Sequence, residues 1–327
     1  MTTLRVCTYN IGARVNDYME NLKYNEDNYE REHKPEKDST SYSQAQEKTG
    51  DLLTAPWQRP HIYCLQEVGP LDLDRPLINR LVAANFAIIH FEGAYRDSVV
   101  ALDRTRFSQI ENHSFVSNFE NRYVAVATAV DHLTGQSVVI ASAHVPGFSY
   151  LGMKQDREYG SDRGKDRAES GDALFTRELI PMMNHLAEPN TLQIIGADMN
   201  ADPEIWPARF ESLENASFDR IEPDSFTNVH LNFAERDHPE LKTRKIDYLF
   251  TRVTTFEKSI LQRISEAIGG IFFATFTMDE SIFVDRDPLD GFNPECNASD
   301  HRPVYAEITY NRVPSWVEGI YNFLIRA

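Results

Sequence analysis

The chain has 327 residues, of which 41% are hydrophobic, and a formal net charge of −17. That hydrophobic share is ordinary for a globular protein, so a globally disordered chain is excluded. The acidic excess repels polyanions at long range and disfavours tight, sequence-specific binding to duplex DNA, but it does not exclude hydrolysis of nucleic acid.

Six apolar runs predict buried strands, and polar side chains accompany each of them at one end. In chain order these polar signatures are Tyr9-Asn10, Gln66-Glu67, His144, Asp198-Met199-Asn200, Asp247 and Asp300-His301. A carboxylate, amide or imidazole at the end of a buried strand is a candidate site group. The six signatures are therefore the first place to look for chemistry.

A polar segment separates the first signature from the second, and we place it at about residues 14–56. Between Asn21 and Gly50, Leu22 is the only large aliphatic residue, and charges of both signs are frequent. Such a segment buries little surface by itself, so we expect an inserted loop or lid with short helices at most. A passive surface insertion and a role in substrate access both stay open.

The middle of the chain predicts neighbouring strands with short links at 86–91, 97–102, 122–130 and 137–145. This succession indicates antiparallel pairing rather than a doubly wound parallel sheet. Helices are predicted at about 75–84, 165–187 and 203–214, with a kink at Pro181 in the second. A single domain over residues 1–327, built as a layered α/β sandwich, fits these elements best.

The residue types of the six signatures suit hydrolysis of a phosphate ester. That reaction requires neutralised phosphoryl charge, a positioned and deprotonated water, and help for the leaving oxygen. Mg²⁺ prefers carboxylate and amide oxygens, and Asn10, Glu67 and Asp300 offer ligands of that type. Asp198 and Asn200 lie two residues apart, so we expect both side chains to reach one pocket, where they hold and deprotonate water.

Two histidines are candidates for contact with the phosphate. Asp247 is the expected orienting partner of His301 in a carboxylate–imidazole pair. His144 would face the same phosphate from another strand. A single histidine on an apolar strand is more often structural, but the five other polar signatures at strand ends favour a role in the site.

Taken together and in order, the signatures resemble those of the endonuclease/exonuclease/phosphatase superfamily, which is also called DNase I-like. The similar segments are Thr8-Tyr9-Asn10, Leu65-Gln66-Glu67-Val68, Ser142-Ala143-His144, Gly196-Ala197-Asp198-Met199-Asn200, Ile246-Asp247-Tyr248 and Ser299-Asp300-His301-Arg302-Pro303-Val304. The resemblance implies a four-layered α/β sandwich of two packed, mainly antiparallel β-sheets flanked by helices. The chain departs from the family pattern at Ala197 and Met199, and in the long insertion after Asn10.

The resemblance also implies a bound Mg²⁺, with Mn²⁺ as the alternative. Glu67 would be the principal metal ligand, and Asn10 and Asp300 would lie near the metal or the phosphate. Whether one or two metal ions act stays open.

The catalytic roles implied by the resemblance fall on five residues. Asp198 would be the general base or orient the water, and Asn200 would contact the phosphate and the nucleophile. Asp247 would orient His301, and His144 would stabilise the transition state or assist the leaving group. Which group moves the proton is left open by the resemblance.

The substrate is less constrained, because members of the superfamily cleave nucleic acids, sphingomyelin and inositol phosphates with the same core. We expect phosphate contacts from Arg122, Lys242, Arg244 and Lys245, and a second basic cluster lies within residues 154–167. These residues favour a monomeric nuclease of low sequence specificity. The alternative is a phospholipid, sphingomyelin or phosphoinositide phosphoesterase with peripheral membrane contact.

Location and cysteine chemistry are the last expectations. A strand pattern begins by Leu4, and no apolar run approaches the ~20 residues of a membrane span, so we expect a cytoplasmic protein without integral membrane association. An exported effector or toxin that uses a signal-independent route is the alternative. Cys7, Cys64 and Cys296 are predicted to be reduced thiols, because their spacing fits neither a zinc site nor a disulfide framework.

Overall fold

The computed structural model describes fourteen stretches of the chain, and the statements below refer to them. They are residues 2–12, 39–55, 59–70, 75–92, 95–119, 122–145, 169–188, 190–203, 206–223, 227–232, 240–254, 275–277, 301 and 303–310.

The described part of the chain contains fifteen strands. These are β1 (Thr2–Asn10), β2 (Ile62–Pro70), β3 (Phe86–Ile89), β4 (Tyr95–Asp103), β5 (Phe107–Asn112), β6 (Phe115–Val116), β7 (Tyr123–Asp131), β8 (Ser137–His144), β9 (Leu192–Asp198), β10 (Asp219–Ile221), β11 (Asn228–Asn232), β12 (Glu240–Arg244), β13 (Asp247–Val253), β14 (Thr275–Thr277) and β15 (Val304–Tyr310). The helices are α1 (Ser39–Thr54), α2 (Arg75–Ala83), α3 (Ile180–Leu186), which continues a π-helical turn at Leu174–Leu179, and α4 (Pro207–Asn215).

The strands form two large sheets. The first sheet has the spatial order β14-β15-β1-β2-β4-β3, and the second has the order β10-β13-β9-β8-β7-β5, with β6 also paired to β7. Within the described residues, β1–β2 and β8–β9 are the parallel pairs, and the other pairs are antiparallel. A separate hairpin pairs β11 with β12. The predicted sandwich of mainly antiparallel sheets is therefore confirmed.

The two sheets pack through side chains that alternate along their strands. In β1, Leu4 and Val6 belong to the core between the sheets, whereas Cys7 and Tyr9 face the other way. Because successive side chains of a strand point to opposite faces, a central strand of a covered sheet is apolar on both faces. The continuous apolar runs of the sequence follow from this burial.

Helices cover the outer face of each sheet and complete the four layers. Leu53 of α1 and Leu77 of α2 pack on the first sheet. Phe175 and Met183 of the helix around residue 180, with Phe210 of α4, pack on the second sheet. No helix in the described part of the chain has the length and apolar content needed to cross a bilayer.

Helix α1 corrects one expectation for the polar segment at 14–56. The prediction was short helices at most, but residues 39–54 form a helix of 16 residues. Among the positions of this helix whose side chains the structure describes, Gln46, Thr49, Gly50 and Leu53 are buried and keep helical spacing with little apolar content. At Gly50 a Cβ atom would lie 2.8 Å from Cγ of Arg80, so glycine permits close contact with α2. Residues 13–38 lie outside the described residues.

The helix predicted at 165–187 is described from residue 169 and passes through Pro181 by way of the π-helical turn. Proline has no N–H to donate and its ring crowds the carbonyl four residues earlier. A wider turn directly before Pro181 accommodates both effects, since the amide of Ile180 bonds to the carbonyl of Phe175, five residues back. The helices predicted at 75–84 and 203–214 correspond to α2 and α4.

Cys7 and Cys64 are buried free thiols, as predicted, and Cys296 lies outside the described residues. Burial raises the pKa of the Cys64 thiol to about 12. Both thiols are therefore protonated parts of the core.

Candidate active site

Polar side chains replace apolar ones at one end of the core between the sheets. Asn10, His144 and Asp198 are the last residues of β1, β8 and β9, and Asp247 is the first residue of β13. Asp198 is the register partner of His144 on one side and of Asp247 on the other. The alternation that buries Leu4, Ile140 and Ile194 between the sheets thus brings polar groups from both sheets to one end.

Asp198 lies at the centre of this cluster and is 1% exposed. Its Oδ2 accepts a hydrogen bond from Nδ2 of Asn10 at 2.8 Å and a longer one from Nδ2 of Asn200 at 3.3 Å. Its Oδ1 accepts the backbone N–H of Asn200 at 2.8 Å. Three donors therefore fix the carboxylate, and Asn10 ties it to the opposite sheet.

Asn200 closes a tight turn around the Asp198 carboxylate. Its φ is 46°, in the left-handed region that asparagine tolerates better than most residues. Its Nδ2 also donates to the carbonyl of Val145 at 3.1 Å. The turn therefore holds Asn200 between the ends of β8 and β9, beside Asp198.

Glu67 reaches the site through an irregularity in β2. Strict alternation would place Glu67 on the outer face, because Ile62 and Cys64 point inward. The pairing of β2 with β4 shifts register between Gln66 and Gly69, and Glu67 has a φ of 51°. This bulge turns the Glu67 carboxylate to within 3.5 Å of His144 Nε2, with 17% of the side chain exposed.

His144 is held from behind by Asp97, the third residue of β4. Oδ1 of Asp97 lies 3.1 Å from Nδ1 of His144, and Nη1 of Arg122 lies 3.3 Å from the same nitrogen. A guanidinium can only donate, so the two contacts require opposite tautomers at Nδ1. The buried carboxylate is the stronger partner, and Arg122 also reaches Oδ2 of Asp97 at 3.5 Å. Nδ1 therefore donates to Asp97.

The other ring nitrogen of His144 faces the site carboxylates. Nε2 lies 3.5 Å from Glu67 and 3.7 Å from Asp198. Burial lowers the pKa of His144, but the surrounding carboxylates, led by Asp97, outweigh burial and raise the pKa above its ordinary value. The environment thus favours the cationic form of His144.

Asp247 and His301 form a second carboxylate–imidazole pair. Oδ2 of Asp247 lies 2.8 Å from Nδ1 of His301, and Asp247 is 0% exposed. The hydroxyl of Thr227 accepts the backbone N–H groups of Ile246 and Asp247, both at 3.0 Å. Burial raises the pKa of Asp247 to about 6, although His301 acts to lower it.

A buried polar network beneath the site joins the two sheets. Nε2 of Gln66 lies 3.1 Å from Oγ1 of Thr8 in its own sheet, 3.0 Å from Oγ of Ser142 and 3.3 Å from the carbonyl of Gly196 in the other. Ser142 Oγ in turn donates to the carbonyl of Leu65 at 2.9 Å. This network fixes the spacing of the strands that end in the site.

The donor set suits a hard divalent cation. Asp198, Asp247 and His301 each offer one ligand atom, and these atoms lie within 4.8 Å of one another. Within the described part of the chain, Oδ1 of Asp247 is buried and accepts no hydrogen bond. Glu67 adds a carboxylate beside them. Oxygen-rich sets of this kind fit Mg²⁺ or Mn²⁺ better than thiolate-preferring metals.

The remaining predicted site residues are less completely placed. Asp300 lies outside the described residues, as do residues 154–167. Lys242 and Arg244 are on β12, whose hairpin leads directly into Asp247, and Lys245 follows them and is partly exposed. Arg122 is brought into contact with His144 and Asp97.

Asp97 and Thr227 were not predicted as functional residues, and Gln66 was named in the second signature without a role of its own. Asp97 carried a usable signal, because it opens an apolar run and so stands at a strand end, like the six signatures. The contacts of Gln66 and Thr227 depend on pairing between distant segments, which the sequence pattern does not reveal.

The architecture is the fold of endonuclease/exonuclease/phosphatase proteins, as the sequence resemblance predicted. The chain is similar to such a protein from Bacteroides vulgatus, at 13% identity and a TM-score of 0.55, over 95% of this chain and 100% of that one. It is similar to the catalytic domain of human Nocturnin with bound sulfate, at 14% identity and a TM-score of 0.54, over 94% of each chain.

A third similar structure is ANGEL2, a 2′,3′-cyclic phosphatase in complex with adenosine-2′,3′-vanadate, at 12% identity and a TM-score of 0.55. That match covers 94% of this chain and 95% of ANGEL2. No family model and no curated protein sequence matches the chain.

Proposed function

We propose that the protein is a metal-dependent phosphoesterase that hydrolyses phosphodiester bonds, with nucleic acid of low sequence specificity as substrate. One observation carries this proposal. Asn10, Glu67, His144 and Asp198 converge from both sheets, and each lies within hydrogen-bonding or ion-pairing distance of at least one other, beside the Asp247–His301 pair.

Asp198 is the group we assign to the attacking water. Its carboxylate is held by Asn10 and by both nitrogens of Asn200, so it has a fixed direction and is buried. A carboxylate in such a position can accept a proton from a water molecule and aim the water at a phosphorus atom. Asn200 is placed to contact the same water and the phosphate.

His144 is the group we assign to the negative charge that develops on the phosphoryl oxygens. Asp97 accepts the Nδ1 proton and Nε2 faces the site, so the imidazolium is oriented before substrate binds. Preoriented positive charge in a buried site contributes strongly to transition-state stabilisation. Arg122 adds a second cation behind it, tied to Asp97.

His301 is the group we assign to the leaving oxygen. Nδ1 is engaged by Asp247, so proton exchange with a substrate would pass through Nε2. Full burial of Asp247 makes this pair rigid and keeps the imidazole in one tautomer. The roles of His144 and His301 are distinct because different carboxylates hold them on different strands.

Glu67, with Asn10 and Asp300, would hold the Mg²⁺ or Mn²⁺ ion, and the cluster of Asp198, Asp247 and His301 is a further candidate set. The ion would neutralise charge on the phosphate when it is bound. Glu67 suits this role because its carboxylate is turned into the site yet keeps 17% exposure.

Two observations support nucleic acid as the substrate class. Arg122 lies beside His144 and Asp97, and the hairpin of β11 and β12, whose sequence includes Lys242 and Arg244, leads along the chain to Asp247. In addition, the similar structures hold sulfate in Nocturnin and a nucleoside vanadate in ANGEL2. The net charge of −17 favours short or single-stranded substrates, since long duplexes would be repelled more strongly.

The test is a substrate panel with Mg²⁺, Mn²⁺ and EDTA. Single-stranded DNA, single-stranded RNA, plasmid DNA, and sphingomyelin or phosphoinositide vesicles are incubated with the wild type and with Glu67→Gln. We expect cleavage of single-stranded nucleic acid that EDTA abolishes and that Glu67→Gln reduces at least ~100-fold.

Glu111→Gln is the matched control, because the Glu111 side chain is 71% exposed on β5. It should cleave like the wild type. Turnover of lipid vesicles without turnover of nucleic acid would replace the proposed substrate class with the lipid alternative. Absence of metal-dependent turnover on every substrate would refute the phosphoesterase proposal.

A further inference from the structure

The peptide group between Met199 and Asn200 is held on both of its sides. Its carbonyl oxygen, on Met199, accepts a hydrogen bond of 2.6 Å from Nη1 of Arg209. Its N–H, on Asn200, donates to Oδ1 of Asp198 at 2.8 Å. In a planar trans peptide the two groups point in opposite directions, so fixing the carbonyl also aims the N–H. Arg209 thereby controls a donor to Asp198 through this peptide group.

Arg209 is an unusual residue for this position, because it is 0% exposed. Asp172 is its ionic partner, with Oδ1 at 3.2 Å from Nε, and Nε1 of Trp206 donates to the other oxygen of Asp172 at 3.3 Å. A buried charge is costly unless it is paired and hydrogen-bonded. A charged donor also makes a stronger hydrogen bond to a carbonyl than a neutral one does.

The guanidinium of Arg209 is closely packed against Gly171. A Cβ atom on Gly171 would lie 2.4 Å from Nη2 of Arg209 and 2.7 Å from Cγ1 of Val145. Val145 is itself bonded to the same turn, because its N–H donates to the Asp198 carbonyl and its carbonyl accepts from Asn200. Arg209 therefore packs between the helix that contains Gly171 and Asp172 and the turn at residues 198–200.

Loss of the hydrogen bond from Arg209 would favour rearrangement of the turn at Met199–Asn200. Rotation of the 199–200 peptide changes ψ of Met199 and φ of Asn200. The φ of Asn200 is 46°, and left-handed backbone, although asparagine tolerates it better than most residues, is still less favourable than right-handed or extended backbone. A flip would relieve that strain and would turn the N–H of Asn200 away from Asp198.

We propose that Arg209, anchored by Asp172, is a positioning residue that locks the Met199–Asn200 peptide so that the Asn200 amide stays on the Asp198 carboxylate. Its catalytic consequence rests on the proposed function, in which Asp198 acts on the attacking water. The peptide lock itself is a property of the fold.

The test combines a structural readout with kinetics on Arg209→Lys. Lysine keeps the charge but cannot reach Met199 and Asp172 together. Exchange of the Asn200 amide hydrogen, followed by NMR, should speed up at least ~10-fold. With a chromogenic phosphodiester and Mg²⁺, kcat should fall about 10- to 100-fold, as for other residues that orient active-site groups, while KM changes less than about twofold.

Arg106→Lys is the matched control. Arg106 forms a buried pair with Asp131, at 2.7 Å, with side-chain exposures of 7% and 0%. This pair lies at the far end of β7, about 26 Å from its site end at ~3.3 Å per residue. Arg106→Lys should lose comparable stability but keep kcat and the Asn200 exchange rate.

Asp172→Asn is the second variant, because the Asp172 side chain is 25% exposed and tolerates neutralisation better. It should shift both readouts in the same direction as Arg209→Lys, and it decides the question if Arg209→Lys does not fold. Unchanged Asn200 exchange in the folded variants, or an equal loss of kcat in Arg106→Lys, would overturn the proposal. A wild type without turnover would refute the proposed function, while amide exchange would still decide the peptide lock.

Discussion

The two sheets approach each other closely at Gly196, beneath the site, and replacing this glycine tests the packing directly. A Cβ atom added there would lie 2.4 Å from Cβ of Cys64 and 2.9 Å from Cβ of Thr8. Carbon atoms in contact prefer ~3.5–4.0 Å, so Gly196→Ala requires the strands to separate by about 1 Å or more. The contacting atoms are fixed to the backbones of β1 and β2 and cannot rotate away.

Overpacking of a well-packed core typically costs about 1–3 kcal/mol, and we expect the upper end here because no flexible side chain can absorb the clash. Urea unfolding of the wild type and Gly196→Ala measures this loss in the free energy of unfolding. Separation of the sheets would also lengthen the contact between Gln66 and the Gly196 carbonyl, which is 3.3 Å. Phosphodiesterase activity should therefore fall with stability.

Gly135→Ala is the control for the backbone effect of the same substitution. Gly135 has a φ of 70° and no atom within 4 Å of an added Cβ. It should cost ~1 kcal/mol from backbone strain alone. The close approach of the sheets at Gly196 is contradicted if Gly196→Ala is as stable as the wild type, or if its loss in the free energy of unfolding is no larger than that of Gly135→Ala.

Two further predictions concern Asp97 and His61. Asp97→Asn removes the charged acceptor that lies 3.1 Å from Nδ1 of His144, and a hydrogen bond to a charged group contributes about 1.5–3 kcal/mol. We therefore expect kcat to fall about 10- to 100-fold. The control is Asp219→Asn, at an exposed position, which should leave kcat unchanged. Burial, followed by the charges of Arg106 and Arg5, lowers the pKa of His61 to about 4 from 6.5. The folded state therefore favours neutral His61. The contribution of His61 to the stability of the folded state is complete above pH 6.5 and is lost as the pH falls towards 4. When the pH is lowered from 7 to 5, the free energy of unfolding measured in urea should fall by about 1 kcal/mol more in the wild type than in His61→Asn, a value reduced to allow for solvent screening. An equal fall in both proteins would contradict the lowered pKa of His61.

The sequence predicted which polar residues the structure brings together, because these residues stand at strand ends. Asn10, His144 and Asp198 each follow a run that is apolar on both faces, and such runs are central strands of a covered sheet. Once the strands pair in register, their last inward residues must meet. The pairing of Asp247 with Asp198 across β13 and β9 follows the same logic.

Glu67 was recognised by its position in a motif, but its direction was not predictable from alternation. The bulge in β2 and the left-handed backbone at Glu67 turn the carboxylate from the outer to the inner face. A bulge depends on the partner strand as well as on the local sequence. Its presence at this point therefore required the structure.

Helix α1 was missed for a different reason. Its buried stripe contains Gln46, Thr49 and Gly50, with Leu53 as the large apolar member. The Gln46 amide donates to the carbonyl of Val68 at 3.2 Å, so a polar side chain is buried by a specific bond rather than by its hydrophobicity. A search for apolar periodicity cannot find a helix that packs through small and polar residues.

The most direct test of the central claim is the Mg²⁺-dependent turnover of a chromogenic phosphodiester by Asp198→Asn. This change removes the charge of the carboxylate that Asn10 and Asn200 hold, and asparagine fills nearly the same volume. We predict turnover by the wild type that requires Mg²⁺ and a loss of at least ~1,000-fold in kcat for Asp198→Asn, with the fold retained. If folded Asp198→Asn turns over the substrate at a rate similar to that of the wild type, the assignment of the site is contradicted.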